Sequence, residues 1–235
     1  MLLTGAAGGI GRAALSALRG RGMRVFATDL ALAAVPCGDP DVALAPLDVT
    51  DEAAVQEAVA STVASFGRLD HVVHLAGQAG SGPIEQVTAD AWRSVLEVNL
   101  TSAFLLARAA VPALRASRGS LTLMASTNGL NGGSALSGPA YAVAKAGLIN
   151  LTRYLAKEWA ADGIRVNAIA PGPIDTPMVS GRFSPEVLQR LRQSVPLGAL
   201  GQPEHVAHAI CYLLDPAASF VTGTVMNVSG GVVLD

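Results

Sequence analysis

Short apolar runs alternate along this chain with longer segments of helical spacing, and that alternation restricts the fold more than any other feature. Continuous apolar runs suit strands buried on both faces, and helical segments between them carry the chain back over the sheet. The pattern therefore predicts βαβ units and a parallel sheet. Seven strands are expected, at 1–3, 24–28, 43–47, 71–75, 120–124, 165–169 and 225–228. The first is unusually short. Helices are expected at 10–19, 51–66, 141–161 and 203–214, and from an N-cap at Thr88 to about 116. An excursion at about 173–203 precedes the last helix, and Ser184-Pro185-Glu186 marks a helix start inside it. No repeat or linker interrupts the 235 residues. The expectation is one α/β domain over 1–235, a doubly wound seven-stranded parallel sheet flanked by helices.

The first strand runs into Thr4-Gly5-Ala6-Ala7-Gly8-Gly9-Ile10-Gly11 and then into a helix. Glycines in such a turn let backbone approach a pyrophosphate, and the helix N-terminus offers unpaired N–H groups to it. Gly5, Gly9, Ile10 and Gly11 are the candidate contacts. Asp29-Leu30 ends the second strand, where a carboxylate accepts from adenosine ribose hydroxyls and repels a 2′-phosphate. No basic residue lies between Gly5 and Gly11 to compensate such a phosphate. NAD is therefore expected over NADP. The alternative for Asp29 is a cap on the following turn. Asp48-Val49 follows the third strand and is a candidate for the adenine amino group, with a helix N-terminal acid as the alternative.

Tyr141 and Lys145 stand four apart in Tyr-Ala-Val-Ala-Lys, which places phenol and ammonium on one helix face. A free phenol has a pKa near ~10. A neighbouring cation favours phenolate and moves that value down. Beside a dinucleotide site, the pair suggests hydride transfer at a carbon bearing oxygen, with tyrosine moving the proton.

These residues, together with Ala76-Gly77, Val98-Asn99-Leu100, Ser126, Pro171-Gly172 and Thr176, resemble the short-chain dehydrogenase/reductase family over almost the whole chain. The resemblance implies a single Rossmann domain and frequent homotetramers, with homodimers as the smaller assembly. It implies Tyr141 as general acid/base and Lys145 as the residue that lowers its pKa and bonds the nicotinamide ribose. Ser126 would orient the substrate oxygen, and Asn99 would hold a water linking Lys145 to solvent. Ala76 and Gly77 would meet the cofactor through backbone, Ile174 and Thr176 its carboxamide, and Pro171 and Gly172 its ring side. The chain departs from the family at His74-Leu75, where Asn-Asn is usual, in a short 30–40 segment, and in a long Ser126–Tyr141 gap containing Asn131, Gly132, Gly133, Ser134 and Ser137. His74 is expected as a core or edge residue, with a part in proton flow as the lesser alternative.

The resemblance implies a secondary alcohol or ketone as substrate, with a 3-oxoacyl group on acyl carrier protein as the alternative. Pro196-Leu197-Gly198 and Gly201-Gln202-Pro203-Glu204 resemble carrier-protein reductases, but Asp162 stands where those carry a basic residue for the acidic carrier. A remote alternative is a non-catalytic dinucleotide sensor. Met178, Val179, Phe183, Leu188 and Leu191 are expected to line an apolar lid, and Arg182 either pairs with a carboxylate or faces water.

The net charge is -2, so no basic field calls for nucleic acid. Apolar residues are 51% and charged residues 14%, which points to subunit contacts as well as a covered sheet. Cys37 and Cys211 give no metal spacing and are expected as free thiols. His205 and His208 suit a solvated helix face, and no metal is expected. No run reaches the ~20 apolar residues of a membrane span, and no leader pattern opens the chain. The expected location is cytoplasmic.

Overall fold

The computed structural model describes residues 1–35 and 38–234, so Cys37 lies outside the described residues. The strands are β1 (Leu2–Thr4), β2 (Val25–Asp29), β3 (Val42–Pro46), β4 (His71–His74), β5 (Ser120–Met124), β6 (Arg165–Pro171) and β7 (Val225–Val228). All pair in parallel in one sheet of order β3-β2-β1-β4-β5-β6-β7. The short β1 is not an edge. It lies centrally between β2 and β4, and all three of its residues are buried.

Alternation along β1 shows how the sheet is covered. Leu2 joins the apolar cluster on one face, with Val55, Leu106, Leu121 and Leu148. Leu3 joins the cluster on the other, with Leu15, Leu18, Val206 and Ile210. Full burial of such side chains stabilises by roughly 1.5–3 kcal/mol each. The first face is covered by α2 (Glu52–Phe66), α4 (Ser102–Ser117) and α6 (Pro139–Trp159). The second is covered by α1 (Gly9–Arg19) and α8 (Pro203–Leu214), which pack on one another.

Local chemistry sets the helix ends. Asp51 caps α2 by accepting from Ala53 and Ala54 N–H. Thr88 accepts from Ala91 N–H and Ser184 from Val187 N–H, each starting a helix as expected. The helix from Thr88 is not continuous, however. It consists of α3 (Ala89–Leu96), a π-helical segment (Glu97–Thr101) and α4. The whole stretch 89–117 is long and apolar enough to cross a bilayer, but α4 packs on β4, β5 and α2 and contributes to the core. Asn128–Asn131 forms a short α5, and Pro185–Gln193 forms α7 in the excursion.

The turn between β1 and α1 is held by close backbone packing. Gly5 has φ +73°, and a Cβ there would lie 2.6 Å from Ala76 N. A Cβ on Gly11 would lie 2.0 Å from the Gly5 carbonyl oxygen. Gly11→Ala should therefore lower stability by at least the ~1–3 kcal/mol of overpacking. Gly20→Ala, whose Cβ meets nothing nearer than 3.5 Å, should be close to neutral. Urea unfolding of the two variants checks this, and equal midpoints would remove the turn from the fold's determinants.

Candidate active site

A cleft of about 520 Å³ opens at the C-terminal ends of the central strands. It lies where β1 and β4 neighbour one another and the chain order reverses, the position at which open α/β sheets bind ligands. Gly5, Gly9, Ile10 and Gly11 line it, as do Asp29, Leu30, Val49, Ala76, Gly77 and Thr176. Gly8 caps α1 without any side-chain hydrogen bond, so the first N–H groups of the helix face the cleft uncapped. The bare glycines and these donors fit a pyrophosphate. Asp29 divides its carboxylate: Oδ2 accepts from Ala7 N–H at 3.0 Å and Oδ1 from Ala31 N–H at 3.3 Å. It thus joins the glycine turn to the end of β2 while facing the cleft, and it also bonds the following turn.

Asp48 is placed differently from expectation. It is exposed and does not line the cleft, and its Oδ1 accepts from both the amide and the hydroxyl of Thr50, which hold the carboxyl below its usual range. Leu47 and Val49 form the wall there. Arg12, which follows the glycine motif, was not singled out by spacing. It lines the cleft and donates to the Ala7 carbonyl at 2.5 Å.

The cleft shares Ile10, Gly77, Met124, Thr176 and Met178 with a deeper chamber of about 130 Å³. Asn99, Ser126, Tyr141, Lys145, Pro171, Gly172 and Ile174 come together there. Ser126 follows β5, Asn99 comes from the π-helical segment, and Tyr141 and Lys145 share one face of α6. Lys145 Nζ donates to the Met124 carbonyl at 2.6 Å and lies 5.4 Å from the Tyr141 ring centre. Asn99 Nδ2 donates to the carbonyls of Gln78 (2.8 Å) and Val95 (2.9 Å), while its buried Oδ1 has no hydrogen-bond partner among the described residues. A Cβ on Gly77 would lie 2.8 Å from that Oδ1 and 3.5 Å from Lys145 Nζ, so glycine keeps a space between them.

The expected depression of the phenol is not present in the protein alone. Burial pushes Tyr141 above its ordinary value, and its hydrogen bond with Ser126 opposes that shift. Burial also draws Lys145 down to about 7. Burial thus disfavours the charged lysine as well as the phenolate, which weakens the hold of one on the other.

His74 is fully enclosed. Its Nδ1 lies 2.7 Å from Thr4 Oγ1 and its Nε2 2.9 Å from Ser102 Oγ. Ser102 in turn donates to the Val98 carbonyl at 2.7 Å. With Ser102 donating, the consistent arrangement has Nε2–H donating to Ser102 and Thr4 donating to Nδ1. This chain of bonds ties β1 and β4 to the π-helical segment that presents Asn99.

A third chamber, of about 190 Å³, shares Ser126, Tyr141, Gly172, Met178 and Val179 with the second. Phe183 and Leu191 line it as expected for the lid, but Leu188 does not, and Arg182 joins them. From the long Ser126–Tyr141 gap it takes Ser134 and Ser137, and not Asn131, Gly132 or Gly133. Sequence reading missed Asn128, Ser194 and Val232. Asn128 stands two residues after Ser126, a signal that was available, whereas Val232 arrives by the return of the chain after β7. His205 is exposed and accepts from Gln202 N–H, closing the cap of α8.

A family model described as enoyl-(acyl carrier protein) reductase matches residues 5–233. The cis-4-hydroxycyclohexanecarboxylate dehydrogenase of Sinomonas cyclohexanicum is 40% identical, over 98% of this chain and 94% of the relative. A solved short-chain dehydrogenase/reductase of the glucose/ribitol dehydrogenase type from Brucella melitensis superposes with TM-score 0.93 at 31% identity, covering 100% of this chain and 96% of the other. This chain belongs to the short-chain dehydrogenase/reductase family. As a member of the short-chain dehydrogenase/reductase family it is an oxidoreductase that acts on CH–OH groups with a nicotinamide dinucleotide. The 3-oxoacyl-[acyl-carrier-protein] reductase of Thermotoga maritima is a further relative, 34% identical over 99% of this chain and 97% of its own.

The two strand histidines make acid stability a test of the site. Burial, assisted by the Lys145 charge, draws His74 down to about 3, and burial draws His71 down to about 4. In an unfolded chain histidine titrates near ~6.5, so below that pH the unfolded state binds protons that the folded state does not. Stability is complete above that value and falls as pH drops toward the folded values. His74→Asn should remove close to one proton from the slope of unfolding free energy between about pH 4.5 and 5.5, and about half a proton near pH 6.5. Urea titrations across that range check this. An unchanged slope would mean that His74 is not held neutral.

Proposed function

We propose that this protein is an NAD-dependent oxidoreductase that moves a hydride between nicotinamide and a secondary alcohol or its ketone, with Tyr141 as general acid/base. The observation that carries the reading is the convergence of Asn99, Ser126, Tyr141 and Lys145 in one chamber that shares walls with the dinucleotide cleft. A bound nicotinamide dinucleotide supplies the hydride acceptor or donor. Ser126 holds the substrate oxygen by hydrogen bond, and Tyr141 takes the hydroxyl proton in oxidation or returns it in reduction. Lys145 stabilises the phenolate against the upward pull of burial, and a bound oxidised nicotinamide would add positive charge beside it. Asn99 Oδ1 is an acceptor on the route by which Lys145 exchanges protons with solvent.

NAD over NADP rests on Asp29, whose carboxylate faces the cleft, and a 2′-phosphate beside it would meet like charge. Among the described residues Arg12 is the one cation on that wall, and it is bound to the Ala7 carbonyl. The substrate in this reading is a small molecule. We also propose a homotetramer or homodimer, supported by Phe104 on α4 and by Val143 and Tyr154 on α6, which are large apolar side chains exposed to solvent.

A 3-oxoacyl carrier-protein reductase is the second reading, supported by the Thermotoga maritima relative. The charge objection to it is weaker than the sequence implied, because Arg115 pairs with Asp162 at 2.8 Å. Asp29 remains the argument against it, in so far as that reading calls for NADPH.

Two measurements test the proposal. Tyr141→Phe should cut turnover by the ~10²–10⁴-fold typical of losing a general acid/base while dinucleotide binding persists. Near-normal turnover would sink the mechanism and revive a sensor role. Asp29→Asn keeps an acceptor for Ala7 N–H and removes the charge. NADH and NADPH titrations followed by fluorescence should show a clear preference for NADH in the wild type and near parity in the variant. Unchanged discrimination would show that Asp29 does not select the cofactor.

A further inference from the structure

The substrate-side chamber has an unbalanced charge. Arg182 is the only cation among its described walls, and no Asp or Glu joins it there. Among the described residues Arg182 has no carboxylate partner. Its guanidinium is nevertheless oriented. One Nη of this exposed side chain donates to the Gly80 carbonyl at 2.5 Å, and the guanidinium carbon lies 5.5 Å from the centre of the Phe183 ring. That bond uses one of five N–H donors and leaves others for a ligand. A planar fork held in this way recognises a planar anion in two-point contact better than a mobile ammonium would. Phe183, Leu191 and Val232 supply apolar surface beside it. About 190 Å³ accommodates a body the size of a six-membered ring.

We propose that Arg182 binds the carboxylate of the substrate, and that the substrates are small hydroxy acids, or the matching oxo acids, with an apolar body. This rests on the reading of the chamber as the substrate site next to Tyr141. One cation without a second basic residue suits a monoanion rather than a phosphate dianion. Arg182 is thus a specificity residue, and the proton chemistry stays with Tyr141.

Calorimetric titration with cyclohexanecarboxylate and with neutral cyclohexanecarboxamide, on protein saturated with dinucleotide, tests this without turnover. The wild type should bind the carboxylate at least ~10-fold more tightly than the amide, the order expected of a hydrogen bond to a charged group. Arg182→Gln should erase that preference and leave amide and dinucleotide binding unchanged, and Arg182→Lys should retain part of it. Equal binding of the two probes by the wild type, or binding of neither, would overturn the proposal. So would an Arg182→Gln variant that loses both probes equally, since Arg182 would then act only as a strap to Gly80. Carboxylate preference without oxidation of any hydroxy acid would count against the oxidoreductase reading alone. Turnover of neutral alcohols without carboxylate preference would count against Arg182 alone.

Discussion

The turn after β1 rests directly on the backbone at the end of β4, and the site is built outward from that contact. Only a residue without Cβ lets Gly5 approach Ala76 N so closely, and its positive φ turns the chain sharply into α1. The same contact brings the uncapped start of α1 beside Ala76 and Gly77. The cleft floor is therefore backbone, with few side chains to displace. Because β1 is central, the two faces of the sheet and the two ends of the cleft are referenced to three residues. Leu2 and Leu3 anchor opposite clusters, and Thr4 reaches His74.

Burial then sets the electrostatics of the deeper chamber. Tyr141 and Lys145 both sit where the charged form is disfavoured, so each moves toward neutrality in the protein alone. An ion pair of phenolate and ammonium in such a place needs further compensation, because desolvation of two ions can exceed their mutual attraction. The Met124 carbonyl provides a polar partner for the lysine, and Ser126 provides one for the phenol. The pair of residues is preassembled, while the charge state suited to chemistry depends on what else enters the chamber.

Much of this was legible in the sequence because it is governed by local chemistry. Strands β5 and β7 and helix α8 fall at the expected residues, and Thr88, Ser184 and Asp51 cap or start helices through their own side chains. The convergence of Asn99, Ser126, Tyr141 and Lys145 was legible through the family resemblance, and the four-residue spacing alone placed the last two on one face. What was not legible depends on through-space partners. A π-helical turn leaves the apolar pattern nearly helical, so residues 97–101 read as part of one long helix. Asp48 turns to Thr50 because two donors lie within one short turn, a choice that its position after β3 does not reveal. Ser194 and Val232 enter the third chamber only because the excursion and the segment after β7 fold over it.

His74 shows how a departure from a family pattern is absorbed. An imidazole buried beside a lysine is costly as a cation, and as a neutral ring it has one donor and one acceptor to satisfy. Thr4 and Ser102 meet both, on opposite sides of the ring, and Ser102 passes the bond on to the Val98 carbonyl. That carbonyl belongs to the segment whose widened turn places Asn99 inside the chamber. The ring thus links the central strand to the loop of backbone that carries an active-site side chain. A neutral His74 also spares Lys145 a positive neighbour, so a polar residue in the middle of the sheet adds no charge beside the chamber.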